Sequence, residues 1–122
     1  MTDCIYCKIV AGELPSYKIY EDEKYLVILD LFPKTTAQML VIPKAHIEWV
    51  WDVPELGKYY EVAGKVARHV REVSGLPVRQ MVYGFQVSHA HIQLRPGRQN
   101  DLDGSQASPE KLEEWRAKYL MI

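Results

Sequence analysis

The sequence lacks the features that mark secreted, membrane and nucleic-acid-binding proteins. It has two cysteines in 122 residues, no apolar run long enough to span a membrane, and a net charge of −1. A disulfide scaffold normally needs more cysteines, and a balanced charge gives no electrostatic reason to expect a nucleic-acid or membrane partner. The N-terminal residues also lack the basic and apolar regions of a secretory signal. We therefore expect a soluble, cytoplasmic protein with neither kind of partner.

Length and hydrophobic spacing predict a single α+β domain over residues 1–122. A chain of this length buries one modest core, and the sequence contains no repeats and no linker. Apolar segments of strand length, separated by turn residues, predict five strands. These lie at 17–22, 25–32, 37–43, 78–84 and 86–94.

Three helices are predicted beside these strands. The longest would begin at Asp52, which forms a capping-box pattern with Glu55, and end at Gly75. A short helix over 4–11 would be capped by Asp3, and a C-terminal helix over 109–120 by Ser108. The long helix has apolar residues at helical spacing, namely Leu56, Tyr59, Tyr60, Ala63, Val66, Ala67, Val70 and Val73.

The two cysteines, Cys4 and Cys7, stand one helical turn apart and would face the same way. Such a C-x-x-C pair is half of a tetrahedral zinc site, which histidines would complete. Of the four histidines, His69 lies beside arginines in the long helix and is expected to face solvent. His46 and His89, at strand ends, are the better candidates. Two other interpretations stay open, that the cysteines are small buried hydrophobic residues or that they form a redox pair.

The segment SHAHIQLRP, residues 88–96, has polar and apolar residues in strict alternation. Successive side chains of a β-strand point to opposite faces. His89, His91 and Gln93 would therefore share one face of the last strand, and the small and aliphatic residues between them would share the other. Three polar groups are predicted to converge on one patch.

The order of these motifs resembles the histidine triad (HIT) family of nucleotide-binding enzymes. The resemblance covers about residues 4–96, and its most specific segments are LVIPKAH at 40–46 and HAHIQ at 89–93. It implies an α+β fold with a five-stranded antiparallel sheet, a homodimer, and nucleotidyl transfer or hydrolysis at the α-phosphate of a nucleotide substrate. His91 matches the nucleophile of the family. The ligands of a structural zinc ion match Cys4, Cys7, His46 and His89.

The sequence departs from the family pattern at three points. Gln93 replaces the third histidine of the H-x-H-x-H motif, which resembles the galactose-1-phosphate uridylyltransferase branch and some dinucleoside polyphosphate phosphorylases. Ala37 and Gln38 stand where Gly-His commonly precedes LVIPK. The loop before the motif is reduced to Gly84 and Phe85, so an asparagine-bearing phosphate-binding segment has no counterpart. Nucleotidyl chemistry is still expected, but the substrate is left undefined.

The chemistry of these residue types agrees with the assignment. An imidazole with a pKa of about 6.5 is mostly neutral at pH 7 and is a competent nucleophile. His91 would form a covalent nucleotidyl-histidine, and a backbone carbonyl accepting its other ring N–H would fix the tautomer. Gln93 can donate a hydrogen bond to a phosphate oxygen but cannot supply a proton. We therefore expect a preference for leaving groups that depart without protonation, such as phosphates.

The same resemblance implies a set of nucleotide contacts. Asp30 would accept hydrogen bonds from the ribose hydroxyls, which a carboxylate can do for both at once. Gln86 and Ser88 are candidate phosphate contacts. The alternative is that Asp30 is a turn residue and that the apolar residues assigned to the base pocket are core. Those residues are Ile5, Tyr6, Ile9, Ile28 and Leu31.

Two other functions compete with the enzyme. The first is a non-catalytic nucleotide-binding module with a structural zinc, in which the changes at Gln38 and Gln93 mark lost chemistry. The second is a C-x-x-C redox protein, which the lack of a β-α-β start disfavours. A covalent nucleotide on His91 would distinguish the enzyme from the binding module, and a disulfide between Cys4 and Cys7 would indicate the redox protein.

Overall fold

Hydrogen bonds between five short segments join them into one sheet, which three helices flank. The computed structural model describes residues 4–84 and 87–121 of the chain. None of the helices within those residues is long and apolar enough to cross a membrane. In chain order the elements are α1 (Ile5–Val10), β1 (Lys18–Glu21), β2 (Tyr25–Leu29), β3 (Met39–Pro43), a 3-10 turn (Val50–Asp52), α2 (Leu56–Ser74), β4 (Val78–Met81), β5 (Ile92–Pro96) and α3 (Pro109–Tyr119).

The strand order of the sheet is β1-β2-β3-β5-β4, and every neighbouring pair is antiparallel. This confirms the predicted α+β fold with one long helix and two short ones. In the register of β3 and β5, Leu40 lies opposite Gln93 and Met39 opposite Leu94. The segment that carries the histidines therefore leads into a central strand of the sheet.

Both faces of the central strands are covered by apolar packing. On one face Val41 and Ile92 belong to the main core beneath α2 and α3. On the other face Leu26 and Ile42 pack with Ile9 of α1 in a second, smaller core. Burial on both faces explains why β2 and β3 are continuous apolar runs rather than alternating ones. Each fully buried aliphatic side chain stabilises the fold by about 1.5–3 kcal/mol.

The long helix begins later than the capping pattern predicts. Its first residue is Leu56, and its N-cap is Glu55, whose φ is 53° and whose side chain makes no capping hydrogen bond. Asp52 lies instead in the 3-10 turn, where its N–H donates to the carbonyl oxygen of Trp49. The capping box was therefore wrong, because the chain turns once more before the helix starts. Gly75, with a φ of 72°, ends the helix as predicted.

The apolar face of α2 packs on the sheet of its own chain. Tyr59 and Val66 are fully buried there, and Trp115 and Tyr119 of α3 lie in the same core. This part of the helix face is thus covered within the chain. His69 does not face solvent as expected: it is half-buried, with Nε2 3.0 Å from the carbonyl oxygen of Tyr119.

The N-terminal helix is shorter than predicted and has a different cap. The N-cap is Cys4, whose Sγ accepts a hydrogen bond from the N–H of Cys7 at 3.3 Å. The predicted cap, Asp3, lies outside the described residues. At the other end of the chain Ser108 caps α3 as predicted, since its side chain accepts from the N–H of Lys111.

Candidate functional site

Two cysteines and two histidines from distant parts of the chain converge at one end of the second core. The ligand atoms of Cys4, Cys7, His46 and His89 all lie within 4.8 Å of one another. The Sγ of Cys7 is 3.1 Å from Nδ1 of His46, and the Sγ of Cys4 is 3.3 Å from Nδ1 of His89. Tetrahedral zinc bonds would place such atoms about 3.3–3.8 Å apart. The donor types therefore fit a zinc ion, and their atoms already lie close to the spacing that such bonds require.

Three structural elements position these ligands. Cys4 and Cys7 lie on one side of α1, His46 follows β3, and His89 precedes β5. The Nε2 of His89 is 2.8 Å from the carbonyl oxygen of Pro43, so that Nε2–H donates and the lone pair of Nδ1 points at the thiols. A second hydrogen bond of this kind is what orients a metal-binding histidine. Burial also lowers the pKa of His89, which favours the neutral imidazole that a metal requires.

Both cysteines are free thiols. Burial, reinforced by the neighbouring Cys4, raises the pKa of the Cys7 thiol to about 11. A divalent cation reverses this balance, because a coordinating thiol loses its proton. The disulfide that a redox protein would carry is not formed between these two residues.

The strand that follows His91 starts later than the sequence alternation predicts. The predicted strand begins at position 86, whereas β5 begins at Ile92, because the N–H of Ala90 donates to the carbonyl oxygen of Ile47 rather than to a neighbouring strand. The alternation of side chains is nevertheless kept. Ala90 and Ile92 enter the main core, whereas His91 and Gln93 point to the opposite side, where both line a cleft.

This cleft, about 310 Å³ in volume, has His91, Gln93 and Arg95 along one side. His91 is 3% exposed, and its Nδ1 lies 2.9 Å from the carbonyl oxygen of His89. The expected backbone partner is therefore present, and with Nδ1–H donating, the lone pair is on Nε2. The ring of Tyr6 packs edge-on against the imidazole, with 5.4 Å between the centroids. The imidazole is thus fixed in position and in tautomer.

The connection between β2 and β3 also lines the cleft, with Asp30, Phe32, Lys34 and Gln38. Gln38 is 2% exposed; its Nε2 donates to Oδ2 of Asp30 at 2.9 Å, and its Oε1 accepts from the N–H of Lys34 at 2.9 Å. Asp30 also accepts from the N–H of Phe32. Ala37, with a φ of 59°, makes the sharp turn that directs Gln38 back into this network. The amide that departs from the family pattern therefore holds Asp30 in the cleft.

Replacing Gln38 by leucine is expected to lower the free energy of unfolding by about 2 kcal/mol. The substitution removes two partly buried hydrogen bonds, one from the N–H of Lys34 and one to an oxygen of Asp30, and each such hydrogen bond contributes about 0.5–1.5 kcal/mol. Urea denaturation measures the change. Gln80→Leu, on the exposed surface of β4, is the matched control and should stay within about 0.5 kcal/mol of the wild type. A shift for Gln38→Leu no larger than that of the control would contradict the bridging role.

The cleft includes few of the nucleotide contacts that the resemblance implies. Tyr6 and Asp30 line it. Ile5 is 46% exposed on α1, Ile9 and Ile28 are buried in the second core, and Leu31 packs against the main core. Ser88 is exposed, and Gln86 lies outside the described residues. The cleft instead has Phe32, Leu40 and Val87 as apolar lining.

Arg95 is the residue of this site that the sequence reasoning missed. It is only 6% exposed, lines the cleft, and donates from a terminal guanidinium nitrogen to Oε1 of Gln93 at 2.8 Å. The alternation that groups His91 with Gln93 continues to position 95, so extending it by two residues would have found Arg95. Lys34 also lines the cleft. It lies in a loop, so no periodic pattern in the sequence indicates its position.

Comparison with solved structures supports this description of the fold. A Zn-bound histidine triad family protein from Mycobacterium smegmatis superposes with a TM-score of 0.77 at 32% identity, covering 97% of this chain and 94% of that one. A Hit-like protein from Bartonella henselae gives a TM-score of 0.88 at 24% identity, covering 98% of this chain and 95% of that one. The second likeness concerns the fold alone.

Two relatives are named as enzymes that act on nucleotides. An adenylylsulfatase from Arabidopsis thaliana is 30% identical over 81% of this chain and 54% of its own length. An adenosine 5'-monophosphoramidase from Saccharomyces cerevisiae is 29% identical over 78% of this chain and 63% of its own length.

The sequence comparisons match most of the chain. Protein hit from Bacillus subtilis (strain 168) is 49% identical over 102 residues, which are 77% of this chain and 70% of that protein. The family model described as the HIT domain matches residues 11–100, a range that includes His46, His89, His91 and Gln93. The protein therefore belongs to the HIT family.

Proposed function

We propose that the protein is a nucleotide hydrolase or nucleotidyl transferase that acts at the α-phosphate of its substrate through a covalent intermediate on His91. The observation that carries the proposal is the state of this imidazole. It is buried beside the cleft with Nδ1 bound to a carbonyl oxygen, which leaves Nε2 as the basic nitrogen. A fixed neutral imidazole is a competent nucleophile at neutral pH. The relatives named as nucleotide hydrolases support the reaction class.

The reaction divides into two displacements at phosphorus. Nε2 of His91 attacks the α-phosphorus, a P–N bond forms, and the bond from phosphorus to the leaving group breaks with its electron pair going to that group. A water molecule or a second acceptor then attacks the same phosphorus, loses its proton, and breaks the P–N bond. The imidazole is restored and the nucleotide is released as a monophosphate or on the acceptor. Covalent catalysis of this kind replaces one difficult step by two easier ones.

We also propose that the cluster of Cys4, Cys7, His46 and His89 holds a structural zinc ion. Four protein ligands leave no open coordination position, which is the arrangement of structural rather than catalytic zinc. A zinc ion bound there ties α1 to the segments that follow β3 and precede β5. The protein groups on those segments, and not the metal, carry out the steps at phosphorus.

Gln93 bears on which leaving groups the site accepts. Its Oε1 accepts a hydrogen bond from Arg95, and an amide has no proton to give near neutral pH. Phosphates and other stabilised oxyanions depart without protonation, whereas amines do not. We therefore propose that dinucleoside polyphosphates or nucleoside diphosphate sugars are better substrates than nucleoside phosphoramidates.

This preference predicts the effect of restoring histidine at position 93. The wild type should have a higher kcat/KM for dinucleoside polyphosphates than for phosphoramidates of the same nucleoside. Gln93→His should raise kcat/KM for the phosphoramidates by about 100-fold, since positioned proton transfer contributes about 10²–10⁴-fold. Initial rates measured by chromatography test this, with Gln80→His on exposed β4 as the control. Faster turnover of phosphoramidates by the wild type would reject the proposed preference.

The intact mass of the protein tests the covalent step directly. The protein is incubated briefly with dinucleoside polyphosphates and nucleoside diphosphate sugars of all common bases, and the reaction is quenched in alkali because acid breaks P–N bonds. A mass increase of one nucleotidyl group would support the nucleophile and identify the base. Tight nucleotide binding with neither an adduct nor turnover would support the non-catalytic binding module instead.

A further inference from the structure

Arg95 is a buried cation without a carboxylate partner. Only 6% of the residue is exposed, and an arginine cannot shed its charge at any ordinary pH. It takes part in no ion pair within the described part of the chain. Its protein partners are two neutral amides, Gln93 at 2.8 Å and Asn100 at 3.4 Å, and its buried Nε–H has no described acceptor. Burying an uncompensated charge is costly, so this arrangement calls for an anion.

The neighbouring strand makes the electrostatic situation worse. Arg79 of β4 lies directly opposite Arg95 in the sheet, and like charges in such cross-strand pairs are destabilising. The Oδ1 of Asn100 accepts a hydrogen bond from each of the two guanidinium groups, at 3.2 and 3.4 Å. An amide oxygen orients both groups but neutralises neither. The charge of Arg95, the one of the two arginines that lines the cleft, is therefore left uncompensated from this side.

Two acidic residues, Asp30 in the cleft and Asp101 beside Asn100, are occupied by other donors. Asp30, on the facing side of the cleft, accepts from the amide of Gln38 and the N–H of Phe32. Asp101, next to Asn100 in the chain, accepts from both the N–H and the hydroxyl of Thr36, at 2.8 and 2.7 Å. Neither carboxylate forms an ion pair with Arg95. The positive charge is therefore open to an anion that enters the cleft.

We propose that Arg95 selects substrates whose leaving group carries its own negative charge, that is, a phosphate or sulfate oxyanion beyond the α-phosphate. The proposal rests on the proposed function, since it takes His91 as the point of attack. His91, Gln93 and Arg95 occupy alternate positions, about 7 Å apart along the strand, and all three line the cleft. The hydrogen bond from Arg95 holds the guanidinium beside Gln93, which is about 7 Å along the strand from His91. An oxyanion in the leaving group of an α-phosphate attacked by His91 would lie at about that distance from His91.

Two substrates that share one nucleotidyl group separate this role from general catalysis. One is a nucleoside diphosphate, whose leaving phosphate is anionic before attack. The other is the p-nitrophenyl ester of the same nucleoside monophosphate, whose leaving group is uncharged before attack and also departs without protonation. Arg95→Met should lower kcat/KM about 10- to 100-fold for the diphosphate, since charged hydrogen bonds are worth about that factor. The loss for the ester should be much smaller, and Arg95→Lys should recover part of the loss for the diphosphate.

The thermal midpoint provides a second test. If the role of Arg95 were only structural, removing it would lower the midpoint. Because Arg95 is an unpaired buried charge, Arg95→Met should leave the thermal midpoint unchanged or raise it. Arg79→Met is the matched control, since Arg79 shares Asn100 but does not line the cleft. It should not discriminate between the two substrates. Equal losses of activity on both substrates in Arg95→Met, or a large fall in its thermal midpoint, would overturn the proposal.

Equilibrium binding keeps the test independent of turnover. In the His91→Ala background, which cannot form the adduct, the nucleoside diphosphate should bind about 10-fold or more tightly than the monophosphate, and adding Arg95→Met should remove that difference. If the wild-type protein forms no adduct with any substrate while this Arg95-dependent difference is present, the nucleophile is rejected and the anion site is kept. An adduct on His91 without any such difference would keep the nucleophile and reject the anion site.

Discussion

His91→Ala is expected to abolish the nucleotidyl adduct and to lower turnover by at least about 1,000-fold, since removing a nucleophile eliminates the covalent route. The reason is geometric: among the histidines, only His91 lines the cleft. His46 and His89 are directed at the cysteines, and His69 is engaged with the carbonyl oxygen of Tyr119. No other described imidazole can therefore take over the attack at phosphorus. Intact mass and initial rates on the same sample measure both effects.

A second variant separates lost chemistry from lost structure. His91 donates to the carbonyl oxygen of His89, so alanine would leave a buried acceptor unpaired. In His91→Asn the side-chain amide nitrogen takes the place of Nδ1 and keeps that donor, while nothing replaces Nε2. Asparagine should preserve stability and still be inactive. His69→Gln, which keeps a donor toward Tyr119, is the control and should retain full activity. Substantial turnover by folded His91→Asn would reject the covalent mechanism.

The sequence was sufficient to predict the fold, because its apolar runs and its long helix are strong local signals. Each central strand is recognisable since both of its faces are buried, and the ends marked by Gly75 and Ser108 follow from backbone requirements at helix termini. The beginning of α2 was missed for a physical reason. Asp52 and Glu55 satisfy the capping pattern, but a 3-10 turn intervenes and Glu55 pairs with Lys24 and Lys58 instead.

The candidate site was only partly predictable. His91, Gln93 and the four metal-binding candidates follow from strand alternation, ligand chemistry and the family resemblance. The roles of Gln38 and Arg95 depend on contacts between segments distant in sequence, such as the pairing of Gln38 with Asp30, which no local pattern records. The electrostatic conflict between Arg79 and Arg95 is likewise visible only once β4 and β5 are in register.

Removing zinc is expected to lower both the stability and the activity of the protein. A metal present at about 1,000 times its dissociation constant stabilises the native state by about 4 kcal/mol, which corresponds to a fall of about 15 °C in the thermal midpoint for a domain of this size. The Cys4→Ser variant should show the same loss, because it removes a ligand while serine still supplies an N-cap acceptor for α1. Metal content and thermal midpoint, measured before and after chelation and after zinc is added back, test this.

The loss of activity should follow from the hydrogen bond that links the two sites. His89, a proposed ligand, supplies the carbonyl oxygen that fixes the tautomer of His91. When the metal no longer holds His89, that carbonyl loses its fixed position and the nucleophile loses its orientation. Activity and thermal midpoint should therefore decline together as zinc is removed, and both should return when it is restored. If chelation removed activity but left the thermal midpoint unchanged, the metal would have to act in the chemical step, and the structural assignment would be wrong.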